Sequence, residues 1–207
     1  MKKNKALRAA ACVAVAAMLS TCMVAGTLAK YTTNGTGEDT ARVAKFGVEL
    51  TTGDGMFATS YDNTVKSSNS DKVVAPGTKG ELKATTLSGK PEVSVKVSNE
   101  ATVTLTNWAS DAQGTFYCPI KVTVGGTTID GTTQTSADAF QTAIKNAIDA
   151  KTDTYAAGTD LAGKSATPDV SWEWAFDGAD AKDTALGNAA NAGTISISIA
   201  TTVTQVD

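Results

Sequence analysis

The amino-acid sequence predicts a mainly β protein, a jelly-roll-like antiparallel β-sandwich with one inserted amphipathic helix. Three observations predict it. Short runs rich in Thr, Val and Ile alternate apolar with polar residues, the period of a half-buried strand. Clusters of Gly, Asn, Asp and Ser separate these runs, and the chain holds only 4 prolines. A single segment, residues 136–150, carries the 3–4 spacing of a helix instead. Strands that alternate in this way bury one face each, and two packed antiparallel sheets satisfy them all.

Residues 1–29 begin with Lys2, Lys3, Lys5 and Arg8, contain no acid, and run uncharged from Ala9 to Ala29. A basic head, an Ala-rich apolar run and the small-residue site Thr27-Leu28-Ala29 form the layout of an export signal. The expected cut lies between Ala29 and Lys30. Two alternatives stay open on the residues alone. The apolar run is long enough to span a bilayer, although its Ala, Ser, Thr and Gly content inserts weakly. Leu19-Ser20-Thr21-Cys22 also has the shape of a lipobox, which would place a lipid on Cys22. Cleavage after Ala29 makes a signal peptidase the partner during export. It leaves a secreted product without stable membrane insertion.

Residues 30–40 are polar and contain glycine, and read as a flexible new N-terminus. From residue 41 to 207 the chain reads as one β-sandwich domain. Residues 41–50 form the first strand, with Phe46, Val48 and Leu50 in phase and Val43 out of phase. Residues 51–71 read as loop with a short strand near 56–61, and Pro76-Gly77 as a turn. Strands follow at 80–87, 93–97 and 101–108, the last two with Val, Ala or Leu at every second place. The run 116–124 is more continuous and suits a central strand. It turns at Gly125-Gly126 into a return strand over 127–129.

The helix comes next, with Phe140, Ala143, Ile144, Ala147 and Ile148 on one face and Thr135 or Ser136 capping it. Residues 152–167 read as a polar linker. Residues 169–176 form the most apolar strand, Val170, Trp172, Trp174 and Phe176 sharing the inward face. Residues 177–193 read as loop with one helical turn near 184–190, and residues 194–206 as the last strand.

Charge and composition exclude much chemistry. Beyond the leader, 14 cations face 21 acids, a net negative body without the basic footprint of a nucleic-acid binder. Histidine is absent, so Ser–His–Asp triads, Cys–His dyads and His-ligated zinc are excluded. Zinc-metallopeptidase (HExxH) and serine-hydrolase (GxSxG) motifs are missing too. No enzyme activity and no cofactor are expected. Of the 3 cysteines, Cys12 and Cys22 belong to the leader, and Cys118 in an apolar run reads as a small buried hydrophobe. Asp177, Asp180 and Asp183 beside Gly178 are a candidate calcium set, with a solvated helix-capping loop as the plainer reading. The Trp172-Glu173-Trp174 run could offer sugar-stacking faces, but its phase with Val170 sends both indoles to the core.

Gly26-Thr27-Leu28-Ala29, Tyr31, and Phe46-Gly47-Val48-Glu49-Leu50 are similar to the TasA/camelysin family of secreted Gram-positive proteins. Leaders in that family end in a G-T-x-A motif cut by a SipW-type signal peptidase. An aromatic residue, a polar stretch and a first strand follow. Val74-Ala75-Pro76-Gly77-Thr78-Lys79-Gly80 resembles the family's L-x-P-G-D-x turn, with Thr78 where Asp is usual. The likeness covers about the first 90 residues. It implies a jelly-roll subunit of extracellular or biofilm-matrix fibres, grown by donor-strand exchange. The segment freed by cleavage, beginning Lys30, Tyr31, Thr32 and Thr33, is then the assembly strand. The metallopeptidase activity described for camelysin does not carry over, since HExxH and histidine are both missing. A monomeric secreted or surface-tethered binding module, using the loops at 51–71 and 152–167, is the alternative.

Overall fold

The computed structural model describes residues 40–61, 65–66, 71–111, 113–176 and 178–206. The chain divides into two units, Met1–Arg42 and Val43–Asp207, and nearly all described residues belong to the second. The expected leader, its cleavage site and the segment after it lie outside the described residues.

In chain order the strands are β1 (Val48–Thr51), β2 (Ser60–Tyr61), β3 (Val65–Lys66), β4 (Thr78–Leu82), β5 (Thr86–Gly89) and β6 (Val95–Thr106). They continue as β7 (Ile120–Val124), β8 (Thr127–Asp130), β9 (Thr152–Tyr155), β10 (Lys164–Ser165), β11 (Val170–Trp174) and β12 (Thr194–Gln205). Two helices interrupt them, α1 (Ala137–Asp149) and α2 (Asp180–Gly187). The sheets have the orders β1-β5-β10, β4-β11-β7-β8 and β12-β6-β9, with β2 and β3 as a separate hairpin. Every pairing among the described residues is antiparallel. The protein is thus mainly β, with antiparallel sheets packed as in a β-sandwich.

The larger core lies between the four-stranded sheet, β6 and α1. Ile120, Val122, Val124, Val170, Trp172 and Trp174 fill it from one side, and Ala101, Leu105 and Trp108 from another. Helix α1 supplies Phe140, Ile144 and Ile148, four residues apart and all fully buried. Ser136 caps it, its hydroxyl accepting from Ala139 N–H at 3.1 Å, and Asp138 faces the positive end of the helix dipole. A second cluster, Leu87, Val95, Val97, Leu161 and Ala166, sits under β5 and the first half of β6.

α1 also stands in for a strand. Strand β9 covers the near edge of β6 only at Val95–Ser98. Further along, Ala101 N–H donates to Asp149 Oδ1 at 2.7 Å and Leu105 N–H to Gln141 Oε1 at 2.9 Å. Helix side chains thereby satisfy strand donors that burial would otherwise leave unpaired.

Several elements differ from expectation. The strands expected at 93–97 and 101–108 are one 12-residue strand, β6. Asn99, between the two expected strands, is buried in phase with Val97 and Ala101. Its amide donates to Lys151 O at 3.1 Å and Ala166 O at 2.9 Å, and accepts from Thr201 Oγ1 at 2.8 Å. The strand expected at 80–87 divides into β4 and β5, which enter different sheets. The expected linker at 152–167 holds β9 and β10. The first strand shrinks to β1. β11 ends at Trp174, and Phe176 is 79% exposed rather than in the core. Its ring lies over the backbone of Gly77, whose φ of +83° and lack of Cβ admit the contact. The helical turn expected near 184–190 is the longer helix α2, so the described residues hold two α-helices rather than one.

Candidate functional site

Of the sequence-derived candidates, Ala29, Lys30, Tyr31, Thr32, Thr33 and Asp177 lie outside the described residues. Asp180 and Asp183 sit in the first turn of α2, where the helix dipole favours a carboxylate. Asp183 Oδ1 accepts from Tyr117 Oη at 2.9 Å, and the Lys182 ammonium lies 5.1 Å from the centre of the Tyr117 ring. These contacts fasten α2 to the loop before β7. Among the described residues no group of three or more Asp, Glu, Cys or His gathers as a metal site.

The tryptophan pair faces inward, as its phase predicts. Trp172 is 2% exposed and donates from Nε1 to Met56 O at 2.9 Å. Gly80 makes room for this bond, since a Cβ there would stand 2.8 Å from Trp172 Nε1 and 2.3 Å from Met56 O. Trp174 packs beside Trp108, their ring centres 6.1 Å apart, but its buried Nε1 has no acceptor among the described residues. Cys118 is fully buried, and burial pushes its thiol up to about 12, so it stays protonated and inert at neutral pH.

Three surfaces remain. The first is the N-terminal stretch of the domain. It is tied down through its backbone: Lys45 N–H donates to Glu92 Oε2 at 2.8 Å, Glu92 N–H donates to Lys45 O at 2.9 Å, and β1 pairs with β5. Its apolar side chains are nevertheless uncovered, Val43 at 91% exposure, Phe46 at 41% and Leu50 at 40%.

The second surface is the outer face of the four-stranded sheet. Glu173 stands between Lys79 and Lys121 across β4, β11 and β7. With Ser171, Thr123 and Gly80 they line a shallow depression of about 550 Å³. The Lys121 ammonium is also paired with Asp130 at 3.4 Å.

The third is the outer edge of β12, which the sequence reading did not single out. β12 pairs along its whole length with β6, from Thr194↔Thr106 to Gln205↔Val95, and no strand among the described residues pairs its other side. The signal for a strand was plain in the sequence. The signal for an open edge was not, because openness depends on which strands pair.

Comparison with protein-family models, with curated proteins and with solved structures returns no match to this chain.

Proposed function

We propose that the chain is an exported structural protein that self-associates into extracellular or biofilm-matrix fibres of a Gram-positive bacterium. Cleavage between Ala29 and Lys30 frees the segment that begins Lys30, Tyr31, Thr32 and Thr33. That segment adds to an open sheet edge of the next subunit by backbone hydrogen bonds. The observation that carries this reading is the uncovered apolar row at the start of the domain. Phe46 and Leu50 follow the donor segment closely, and each leaves about two-fifths of its surface in water. A neighbouring subunit that receives the donor strand would cover them too. The G-T-x-A leader motif and the first-strand resemblance to the TasA/camelysin family support the same reading, and a jelly-roll strand arrangement is what that resemblance implies.

Electron microscopy of protein beginning at Lys30, beside protein beginning at Val43, tests it. Fibres are expected from the first and not from the second. If both stay monomeric at high concentration, the fibre function is wrong.

A monomeric binding module is the second reading, and the depression over Lys79, Lys121, Ser171 and Glu173 favours it. Its polar lining suits hydroxyl-rich ligands such as glycans. Binding of the monomer on a glycan array, abolished by Glu173→Ala, would support this alternative.

A further inference from the structure

In an antiparallel ladder, hydrogen-bonded and non-hydrogen-bonded residue pairs alternate. Val206 N–H donates to Ser94 O at 2.9 Å, which marks the even-numbered pairs of β12 and β6 as the hydrogen-bonded ones. The β6 donors taken by α1, Ala101 and Leu105, are odd-numbered and point the other way, as this parity requires. The main-chain groups of Ile195, Ile197, Ile199, Thr201, Val203 and Gln205 therefore point away from β6, along the open edge.

This edge lacks the protection that the others carry. The other outer strands of the three sheets are β1, β4, β8, β9 and β10. Each is at most 5 residues long and contains a charged residue: Glu49, Lys79 with Glu81, Asp130, Asp153 and Lys164 respectively. β12 is 12 residues long, and no charged residue or proline occurs from 194 to 206. Long, neutral, alternating edges are templates for another strand.

We propose that β12 pairs with β12 of a second copy, antiparallel about a two-fold axis at Ala200. Ile195 then faces Gln205, Ile197 faces Val203 and Ile199 faces Thr201, and the axis repeats each pair. All the outward main-chain groups of the odd-numbered residues are used. Between them Ala200 meets Ala200, Ser198 meets Thr202 and Ser196 meets Thr204, all small and uncharged. A charge at residue 200 would meet its own copy across the axis, and the neutral Ala200 avoids that repulsion. Ile195, Ile197, Ile199 and Val203 are only half-buried in one copy and gain cover from the second. The two three-stranded sheets merge into one of six, an ordinary width. The segment 30–40 suits this edge less well, since it carries Lys30, Glu38, Asp39 and two glycines. The pairing is separate from donor-strand exchange and closes on itself as a dimer.

Cysteine cross-linking tests it in the exported chain, with Cys12→Ser and Cys22→Ser so that a retained N-terminal segment adds no thiol. Ala200→Cys places two sulfurs across a non-hydrogen-bonded pair, whose Cα atoms lie roughly 4.5 Å apart and within disulfide range. Mild oxidation should convert most Ala200→Cys protein to a covalent dimer. Ser196→Cys and Thr204→Cys should stay monomeric alone and cross-link when mixed. Ala200 is exposed, so Ala200→Lys should keep the fold by circular dichroism while weakening dimerisation at least tenfold in analytical ultracentrifugation. Failure of Ala200→Cys to form an intermolecular disulfide, equal yield from all three variants alone, or protection of the Ala200→Cys thiol by a peptide from residues 30–40 would each overturn the proposal. Fibres that persist in Ala200→Lys would leave the N-terminal donor reading intact, and a cross-linked Ala200→Cys dimer without fibres would leave this pairing intact.

Discussion

Replacing Trp172 and Trp174 separately by Phe removes nearly the same atoms from the same strand and the same core, so the loss of buried apolar volume largely cancels between them. The hydrogen bonds do not cancel. Trp172→Phe takes away the donor that meets Met56 O at 2.9 Å, and leaves that carbonyl buried without it. Stranding a buried partner costs about 1–3 kcal/mol. Trp174→Phe removes an Nε1–H that is buried without an acceptor among the described residues, and so relieves a penalty of similar size, about 1–3 kcal/mol. Trp172→Phe should therefore be the less stable variant by about 3 kcal/mol. In a domain of this size that gap is roughly 6–12 °C in melting temperature. Parallel urea titrations followed by circular dichroism measure it, with the m-value checked for constancy. Equal losses in the two variants, or a larger loss for Trp174→Phe, would refute the account of how the two indoles are held.

Asp149→Ala should destabilise by about 1–3 kcal/mol, because Ala101 N–H is buried and Asp149 is the acceptor that α1 offers it. Asp149→Asn keeps an acceptor oxygen and should recover most of that loss, which amide hydrogen exchange at Ala101 would report. Cys118, held protonated by burial with a value of about 12, should resist thiol reagents at pH 8 in the native state and react once urea unfolds the chain. Peptide mapping locates the label, and rapid native labelling would contradict the burial. For Asp130, burial opposes ionisation, but bonds from the Thr132 hydroxyl at 2.7 Å and N–H at 2.9 Å, with Lys121 nearby, hold its carboxyl below the usual 3.8. A depressed value in the folded state stabilises above the unfolded value and is lost as pH falls through the folded one. Asp130→Ala should thus cost about 1 kcal/mol at neutral pH, with the gap to the unmutated protein closing as pH falls below 3.8. A gap that is constant down to pH 2.5, about a unit below that value, would remove the charge from the explanation.

The sequence by itself determined the periodicities. A spacing of two placed β11, β12 and, as two separate strands, the two halves of β6, and turned Trp172 and Trp174 inward. A spacing of four placed α1 with Phe140, Ile144 and Ile148 on its buried side, and Ser136 marked its start. Absent histidine and a single cysteine beyond residue 29 set limits on chemistry. These properties are local, since a residue's neighbours at two or four places decide which face it shares.

Only the tertiary structure decided which strands meet. β6 lies about 100 residues from β12, and nothing along either strand names the other as partner. The same long-range choice turned the polar stretch 152–167 into β9 and β10, since β6 and β5 offered edges there. It gave the Asn99 side chain three hydrogen-bond partners, so the stretch between the two expected strands continues as one strand. It left Phe176 outside, because β11 ran out of neighbours after Trp174. The open edge of β12 belongs to this class as well. Alternation records which face of a strand is dry, whereas its free hydrogen bonds lie in the plane of the sheet, at right angles to the side chains, and the alternation does not record whether they are paired.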